Sequence, residues 1–290
     1  YYYFFEIQSD YFYKFLLEVD INTIFFTFVF ASLAVILRAI RLKEIALLSG
    51  SKSISFFSMF HANNLSLAIN IIAPMRLGDA IGIIIIQKVI RIKNSLLIIL
   101  VDRIFDLLFA LMIFLFCSFV IGYEYFVNLK ILALTIICFF SLVFVIIIFK
   151  KYIFTNLKKF LSIDLLDWLY NFFDTLIKMF SNIKSIQIII LSLLIWCAFS
   201  LQIWVGTKFF LPQLNSFEIL LIVSSVSLGQ IIHLTPSNLG IFHSIFISLC
   251  VLFNIEFEDA LAPAIFTHLG MVAASLLYGF IALLYKYKVN

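Results

Sequence analysis

Long apolar stretches dominate this chain, and they lack the strict alternation of apolar and polar positions that marks β-strands. A helix needs ~20 residues to cross the apolar core of a membrane, so stretches much shorter than that enter the core without spanning it comfortably. The pattern therefore predicts an all-α polytopic membrane protein. The apolar stretches lie at about 21–41, 53–73, 79–90, 95–121, 129–149, 186–206, 217–235, 238–253 and 260–285.

Residues 150–185 differ from the rest because lysines and aspartates interleave there with apolar residues at helical spacing. This pattern indicates an amphipathic helix on the membrane surface. Lys and Arg concentrate on the cytoplasmic side of membrane proteins, so we place 150–185 in the cytoplasm. The segments 53–93 and 217–259 then each begin and end on one side of the membrane. Each is predicted to be a re-entrant or broken-helix hairpin.

The two predicted hairpins share the pattern P-x-x-L-G, at 74–78 and at 236–240. Pro ends a helix and Gly permits the turn that starts the next one, so these patterns mark the bends. Because the hairpins open to opposite sides, the chain is predicted to contain two halves of inverted topology, unless the pattern recurs by chance. Transporters with inverted repeats bind substrate where their broken helices meet. The predicted bend residues are Pro74, Gly78, Pro236 and Gly240.

These halves, about 21–121 and 186–285, would form one integral membrane domain over 1–290, joined by a connecting helix and the amphipathic segment within 122–185. The chain starts with Tyr instead of Met, so we expect an earlier N-terminal segment to be missing.

Composition narrows the class of protein further. Apolar residues make up 64% of the 290 residues and charged residues only 12%. A soluble domain of this size cannot bury so much apolar surface, which excludes soluble enzymes, disulfide-stapled secreted domains and disordered tails. The net charge of +4 follows from basic residues on the cytoplasmic side, so no nucleic-acid partner is expected. The four cysteines lie in apolar runs and form no CxxC pair.

Five charged residues fall inside the predicted membrane segments, where each costs ~2.5–3.5 kcal/mol on insertion scales. Spacings of three and four residues place Asp102, Arg103 and Asp106 on one helix face. One interpretation is an ion-pair network that holds the first hairpin against 95–121. The other is an arginine that binds a lipid phosphate, because guanidinium and phosphate form paired hydrogen bonds. The start of a helix at Gly78 and Asp79 would add backbone donors for an anion, unless Asp79 caps that helix itself. The five residues are Arg76, Asp79, Asp102, Arg103 and Asp106.

Polar side chains also recur in both hairpins and in the last helix. They either hold helices together or line a water-filled cavity between the hairpins, and the histidines are able to titrate near neutral pH. His233 and His243 lie on opposite sides of a bend without a ligand-spaced cluster, so no metal is expected. No catalytic or nucleotide-binding motif is recognisable, so we expect neither enzyme activity nor a cofactor. The candidate polar residues are His61, Asn64, Asn70, Gln230, His233, Asn238, His243 and His268.

Three of these motifs resemble the lysylphosphatidylglycerol synthetase transmembrane region, or flippase-like domain, family. The family pattern N-x-x-x-P-x-R-x-G-E matches 70–79, R-x-x-D matches 103–106, and P-G-G-x-G-x-x-E matches 236–243 in part. The end of the first predicted helix carries a basic cluster, Arg38, Arg41, Lys43 and Lys52, which we place on the cytoplasmic side of the membrane. Its motif at Arg38 and Arg41 also resembles the family. The chain departs from the family pattern at several positions. Asp79 and His243 stand where Glu is usual, Ser237-Asn238 replace two glycines, and His268 stands where a basic residue is usual.

The resemblance implies a lipid translocase in the cell membrane that moves an anionic phospholipid, polyprenyl lipid or glycolipid between leaflets. Arg76 and Arg103 would contact the phosphate, and the three aspartates would orient them. Envelope-lipid synthesis enzymes are possible partners. We expect a stand-alone member without the family's cytosolic synthetase domain. A non-transporting accessory subunit of envelope-lipid synthesis is one alternative, and an intramembrane enzyme acting on a lipid head group is another. Convergence of the two bends on a polar cavity would separate these hypotheses.

Overall fold

The computed structural model describes residues 19–49, 54–90, 92–122, 169–170, 172–174, 185–231 and 234–285. Over these ranges the protein is all-helical, which confirms the predicted fold class. Its helices are α1 (Ile21–Leu48), α2 (Phe56–Ile72), α3 (Leu77–Gln87), α4 (Ile92–Ile121), α5 (Ser185–Phe210), α6 (Ser216–Gly229), a 3-10 turn (Pro236–Asn238), α7 (Ile241–Leu252) and α8 (Phe257–Leu284).

Four of these helices, α1, α4, α5 and α8, are long and apolar enough to cross a membrane. The shortest, α5, has 26 residues. At 1.5 Å per residue its length is about 39 Å, which exceeds the ~30 Å apolar core of a bilayer. Large apolar side chains on their surfaces are exposed, including Phe26, Phe116, Leu194 and Phe280. Such exposed apolar side chains suit contact with lipid, and they account for part of the high apolar content of the chain.

The remaining helices form two hairpins, α2–α3 and α6–α7, at the places predicted for them. Their helices have 17, 11, 14 and 12 residues, all shorter than the four long helices. Asn215 caps the start of α6 with a capping box. The Asn215 side chain accepts from the Glu218 N–H, and the Glu218 side chain accepts from the Asn215 N–H. The re-entrant arrangement of these hairpins in a membrane stays a prediction.

Both bends begin with the same backbone conformation. The two residues after the first proline, Met75 and Arg76, have φ angles of 57° and 54°. The two residues after the second proline, Ser237 and Asn238, have φ angles of 54° and 55°. This left-handed region costs most L-residues roughly 1–2 kcal/mol each, so packing around both bends has to hold it. The two residues after each proline therefore share a conformation, whereas the next helix starts at Leu77 in the first bend and only at Ile241 in the second, after Gly240 with a φ of 88°.

Packing between the halves is reciprocal. The central long helices α1 and α5 pack on each other. The first helix of each hairpin packs on the last long helix of the other half, α2 on α8 and α6 on α4. Within each half, the return helix packs on the following long helix, α3 on α4 and α7 on α8. This matched arrangement supports two related halves, whereas their inverted orientation in the membrane stays a prediction.

The predicted helix 129–149 lies outside the described residues, and so does nearly all of the amphipathic segment 150–185. The same holds for His233 at the end of the second hairpin's first arm. Their predicted roles stay predictions.

Candidate functional site

Arg41 joins α1 to α4 and α5 through a fully buried guanidinium. Its Nε donates to Asp102 Oδ1 at 2.8 Å, and its Nη2 donates to Asp106 Oδ1 at 2.7 Å. Its Nη1 donates to the Ser192 hydroxyl at 3.1 Å. Because each nitrogen of this guanidinium already has a partner, Arg41 serves as a structural joint between three long helices.

Asp79 joins α2, α3 and α4 in a similar way. Its Oδ1 accepts hydrogen bonds from the Ser66 hydroxyl, the Asn70 amide and Arg103 Nη2, each at 3.0 Å. Its Oδ2 accepts from Arg103 Nε at 3.2 Å. A carboxylate and a guanidinium paired through two bonds hold each other strongly, so most of the donor capacity of Arg103 is directed at Asp79.

Asn70 completes the first bend by accepting from the Gly78 N–H at 2.8 Å. The neighbouring N–H groups of Leu77 and Asp79 donate to backbone carbonyls within the same bend. The start of α3 therefore has its first backbone donors occupied, and the expected anion site at Gly78 and Asp79 is not supported. Gly78 is required here because a Cβ atom would overlap the Ser66 carbonyl oxygen of α2.

Arg76 is the least compensated arginine of the group. Its nearest carboxylate contact is Nη1 to Asp79 Oδ2 at 3.7 Å. Its Nη2 donates to the backbone carbonyl of Gln230 at 3.2 Å, which links the first bend to the end of α6. Its Nε is buried and has no hydrogen-bond partner in the part of the chain that the structure describes. Arg76 therefore keeps donor capacity that no group among the described residues uses.

Arg38 and Arg41 belong with these residues, whereas the sequence interpretation assigned them to a basic cluster flanking the membrane. Arg38 Nη2 lies 3.4 Å from Asp106 Oδ2, and Arg103 Nη1 lies 3.6 Å from the same oxygen. The five predicted charges alone sum to −1. With Arg38 and Arg41 added, the cluster has four guanidinium groups and three carboxylates, and its formal charge becomes +1. This charged cluster consists of Arg38, Arg41, Arg76, Asp79, Asp102, Arg103 and Asp106.

One cavity of about 320 Å³ lies beside the charged cluster, and residues of both bends line it. The cluster contributes three arginines and one aspartate to its wall. The side chains of the three arginines are 24–29% exposed. The cavity wall therefore combines an excess of positive charge with apolar side chains. Its charged and polar lining residues are Arg38, Asn70, Arg76, Arg103, Asp106, Gln202, Ser227, Gln230, Ser237, Asn238 and Ser275.

The second half holds its bend with uncharged groups. His268 in α8 is 2% exposed, and its Nε2 lies 2.9 Å from the Ser237 carbonyl oxygen and 3.2 Å from the Ser237 hydroxyl. Its ring stacks on Phe242 and meets the ring of His243 edge-on at 4.9 Å between centroids. His243 and His268 thus pack around the second bend, and neither lines the cavity.

Two predicted residues of the first hairpin lie away from the cavity. Asn64 is fully buried where α2 approaches Gly279 of α8, and its Oδ1 accepts from the Asn63 amide. His61 lies near the backbone of Ala282, also in α8. Both belong to the interface between α2 and α8. By contrast, Asn70, Gln230 and Asn238 line the cavity as predicted.

Three lining residues of α5, Trp196, Phe199 and Gln202, carry no charge and were not predicted. Trp196 and Gln202 are buried, and both contribute to the cavity wall. A glutamine in the middle of an otherwise apolar stretch is a signal that the sequence does contain.

Within the described ranges, no group of three His, Cys, Asp or Glu side chains lies close enough together to hold a metal. Because this finding covers only part of the chain, the expected absence of a metal stays a prediction.

Comparison with known proteins identifies one family. The model of the lysylphosphatidylglycerol synthase TM region matches residues 8–279, which is nearly the whole chain. No curated protein and no solved structure matches the chain.

Proposed function

The chain belongs to the lysylphosphatidylglycerol synthase TM region family, a membrane lipid-related domain, and we propose that it moves an anionic lipid between the leaflets of the cell membrane. In this proposal the cavity binds the phosphate of the lipid head group. The observation that carries it is the cavity wall, which contains three arginines, Arg38, Arg76 and Arg103, and one carboxylate, Asp106.

Arg76 is the principal phosphate ligand in this proposal. Arg103 has a bidentate carboxylate partner at 3.0 and 3.2 Å, whereas Arg76 has only a 3.7 Å contact and an unused Nε. A phosphate oxygen accepts strong hydrogen bonds from guanidinium groups, and a partly buried site strengthens them. Arg103 and Asp79 then act as positioning residues that keep the first bend and the positive charge in place.

The size of the cavity decides how much of the lipid it takes. About 320 Å³ lies at the lower end of the ~300–1,000 Å³ typical of ligand pockets. A head group fits in that volume, whereas a lipid with two acyl chains does not. The acyl chains therefore stay in the surrounding bilayer while the head group crosses through the cavity.

Orientation and partners belong to the same proposal. The distribution of Lys and Arg supports a cytoplasmic position for the end of α3, at Lys88, and for the basic segment 150–185. In this proposal the chain moves the lipid between leaflets without changing it chemically. Enzymes of envelope-lipid synthesis would supply or consume the lipid.

Purified protein in phosphatidylcholine vesicles tests the proposal, with a trace of phosphatidylglycerol that carries a fluorophore on its acyl chain. A membrane-impermeant reductant quenches outer-leaflet fluorophore, so loss of signal beyond the outer-leaflet share reports movement. Arg76→Gln removes a charge-assisted contact worth ~1.5–3 kcal/mol, so we expect a roughly 10- to 100-fold slower movement.

Lys208→Gln is the matched control, because it removes the same charge from α5 outside the cavity wall. It should move lipid at the wild-type rate. Folded Arg76→Gln protein that moves lipid as fast as the wild type contradicts the assignment of Arg76. Wild-type protein that moves no lipid contradicts transport and favours the accessory-subunit hypothesis.

A further inference from the structure

We infer that Asp106 is a resident counter-ion of the proposed phosphate site: its carboxylate pairs with two arginines of the cavity wall and competes there with the lipid phosphate. This inference rests on the proposed function and deepens it, because such competition sets how tightly the site holds a lipid and how readily it releases it. Among the three aspartates of the charged cluster, Asp106 is the one that lines the cavity.

The two oxygens of Asp106 have different partners. Oδ1 accepts from Arg41 Nη2 at 2.7 Å. Oδ2 lies 3.4 Å from Arg38 Nη2 and 3.6 Å from Arg103 Nη1. Charge-assisted hydrogen bonds between guanidinium and carboxylate groups are ~2.7–2.9 Å long, so the contacts of Oδ2 are loose. The carboxylate is therefore anchored through one oxygen and shared between two cavity arginines through the other.

Arg38 and Arg103 both keep donors for a further acceptor. Among the described residues, Asp106 is the one ion-pair partner of Arg38, and Arg38 takes part in no hydrogen bond with them. A guanidinium carries five N–H donors, so most of the donors of Arg38 are not used by these residues. Nε and Nη2 of Arg103 donate to Asp79, which leaves Nη1, the nitrogen next to Asp106 Oδ2.

The point at which these two guanidinium groups converge suits an oxygen of a phosphate. Both groups lie within 3.6 Å of one anionic oxygen, and both line the cavity. Arg76 lines the same cavity and is close enough to Arg38 and Asp106 to interact with both electrostatically. A phosphate bound at Arg76 therefore competes with Asp106 for Arg38 and for the remaining donor of Arg103.

Asp106 can give up these two contacts because Arg41 still neutralises it through Oδ1. The formal charge of +1 on the charged cluster is matched by one phosphodiester group. Because like charges repel, the Asp106 carboxylate weakens the binding of that phosphate. Sites through which a ligand passes have to bind it weakly enough for it to leave. Asp106 thus limits affinity and favours release.

Asp106→Asn tests the inference because it removes the charge and keeps an oxygen acceptor for Arg41. Asp102 still pairs with Arg41 at 2.8 Å, so the variant should fold. Acyl-labelled phosphatidylglycerol in detergent should bind roughly 10- to 100-fold more tightly, the effect of one nearby charge on an ionisation equilibrium. Fluorescence anisotropy measures this binding. In vesicles the variant should saturate at a lower lipid fraction and have a slower maximal rate.

Glu44→Gln is the matched control, because it removes the same charge from a half-buried position of α1 outside the cavity wall. It should bind and move lipid as the wild type does. Arg38→Gln tests the site from its other side and removes no hydrogen bond to the described residues. Its binding should be roughly 10-fold weaker, whereas Lys43→Gln, also half-buried in α1 and outside the cavity wall, should bind as the wild type does.

Folded Asp106→Asn that binds lipid no more tightly than the wild type overturns the inference and leaves the phosphate site at Arg76 standing. Slower movement with unchanged affinity has the same meaning, because Asp106 then acts only through Arg41. Tighter binding with a faster maximal rate overturns the role in release. Wild-type affinity in Arg38→Gln overturns the shared site, even where Asp106→Asn does not fold. Tighter binding by Asp106→Asn, when wild-type protein moves no lipid, supports the counter-ion and refutes the translocase.

Discussion

Replacing Arg41 with methionine tests whether the charged cluster holds three long helices together. Methionine is a long, flexible side chain that fills much of the space of the guanidinium stem without its charge. The change removes the bonds to Asp102, Asp106 and Ser192. Asp106 keeps its contacts with Arg38 and Arg103, whereas Asp102, at 4% exposure, loses the cation that neutralises it.

The expected cost follows from the stranded carboxylate more than from the lost bonds. Removing one partner of a buried ion pair destabilises a protein by ~3–5 kcal/mol. For a chain of this size, 1 kcal/mol corresponds to roughly 2–4 °C in Tm, so the expected loss is roughly 6–20 °C. Adding Asp102→Asn removes the stranded charge, and the double variant should recover a large part of that loss.

Thermal unfolding in detergent, followed by size-exclusion chromatography of heated samples, measures this loss. Lys43→Met is the control, because it removes a positive charge from the same helix at a half-buried position. Its Tm should stay near that of the wild type. An Arg41→Met variant that melts within about 2 °C of the wild type refutes the reasoning. A double variant less stable than Arg41→Met refutes the claim that the stranded Asp102 carboxylate dominates the cost.

Two further predictions concern the hairpins and use the same thermal assay. Gly78→Ala should destabilise by ~1–3 kcal/mol because its Cβ overlaps a backbone oxygen of α2, whereas Gly82→Ala meets side chains at 3.2 Å or more and should cost less; equal Tm values for the two variants contradict this. Asn215→Ala removes the N-cap of α6 and should cost ~1 kcal/mol, with Asn215→Ser nearly neutral; a wild-type Tm for Asn215→Ala would show that the capping box contributes nothing.

The sequence predicted the hairpins and most of the charged cluster because both depend on local signals. The pattern P-x-x-L-G within an apolar run predicted a bend at 74–78 and another at 236–240, and both bends lie there. A charge within an apolar run is costly in any membrane fold, so the positions of Arg76, Asp79 and Arg103 in the sequence were enough to single them out. These signals require no knowledge of which helices are neighbours.

The sequence did not predict that Arg38 and Arg41 join the charged cluster, because the end of α1 carries no local signal. The apolar run ends near residue 41 and basic residues follow, which is typical of a membrane helix meeting the cytoplasm. The helix continues to Leu48, and Arg41 within it is fully buried against α4. Only the position of Asp102 and Asp106 on a neighbouring helix reveals that these arginines face inward.

Polarity alone also failed to separate cavity residues from interface residues. Asn64 and Asn70 have the same side chain on the same helix, six residues apart, and only Asn70 lines the cavity. The helix face that meets α8 is fixed by Gly279, whose missing side chain lets α2 approach. Close approach of this kind depends on a partner more than 200 residues away along the chain, and no periodicity within α2 reports it.

The sequence left two interpretations of the buried charges open, an ion-pair network or a phosphate site, and the distances assign them to different arginines. Arg41 has carboxylate oxygens at 2.7 and 2.8 Å and no exposure, so it belongs to the network. Arg103 is held at 3.0 Å by Asp79 and still lines the cavity. Arg76 has its nearest carboxylate at 3.7 Å and a buried donor without a partner over the described part of the chain. Because the three carboxylates pair with Arg41 and Arg103, they neutralise Arg76 only weakly. The structural role of Arg41 and Arg103 therefore supports the proposed binding role of Arg76.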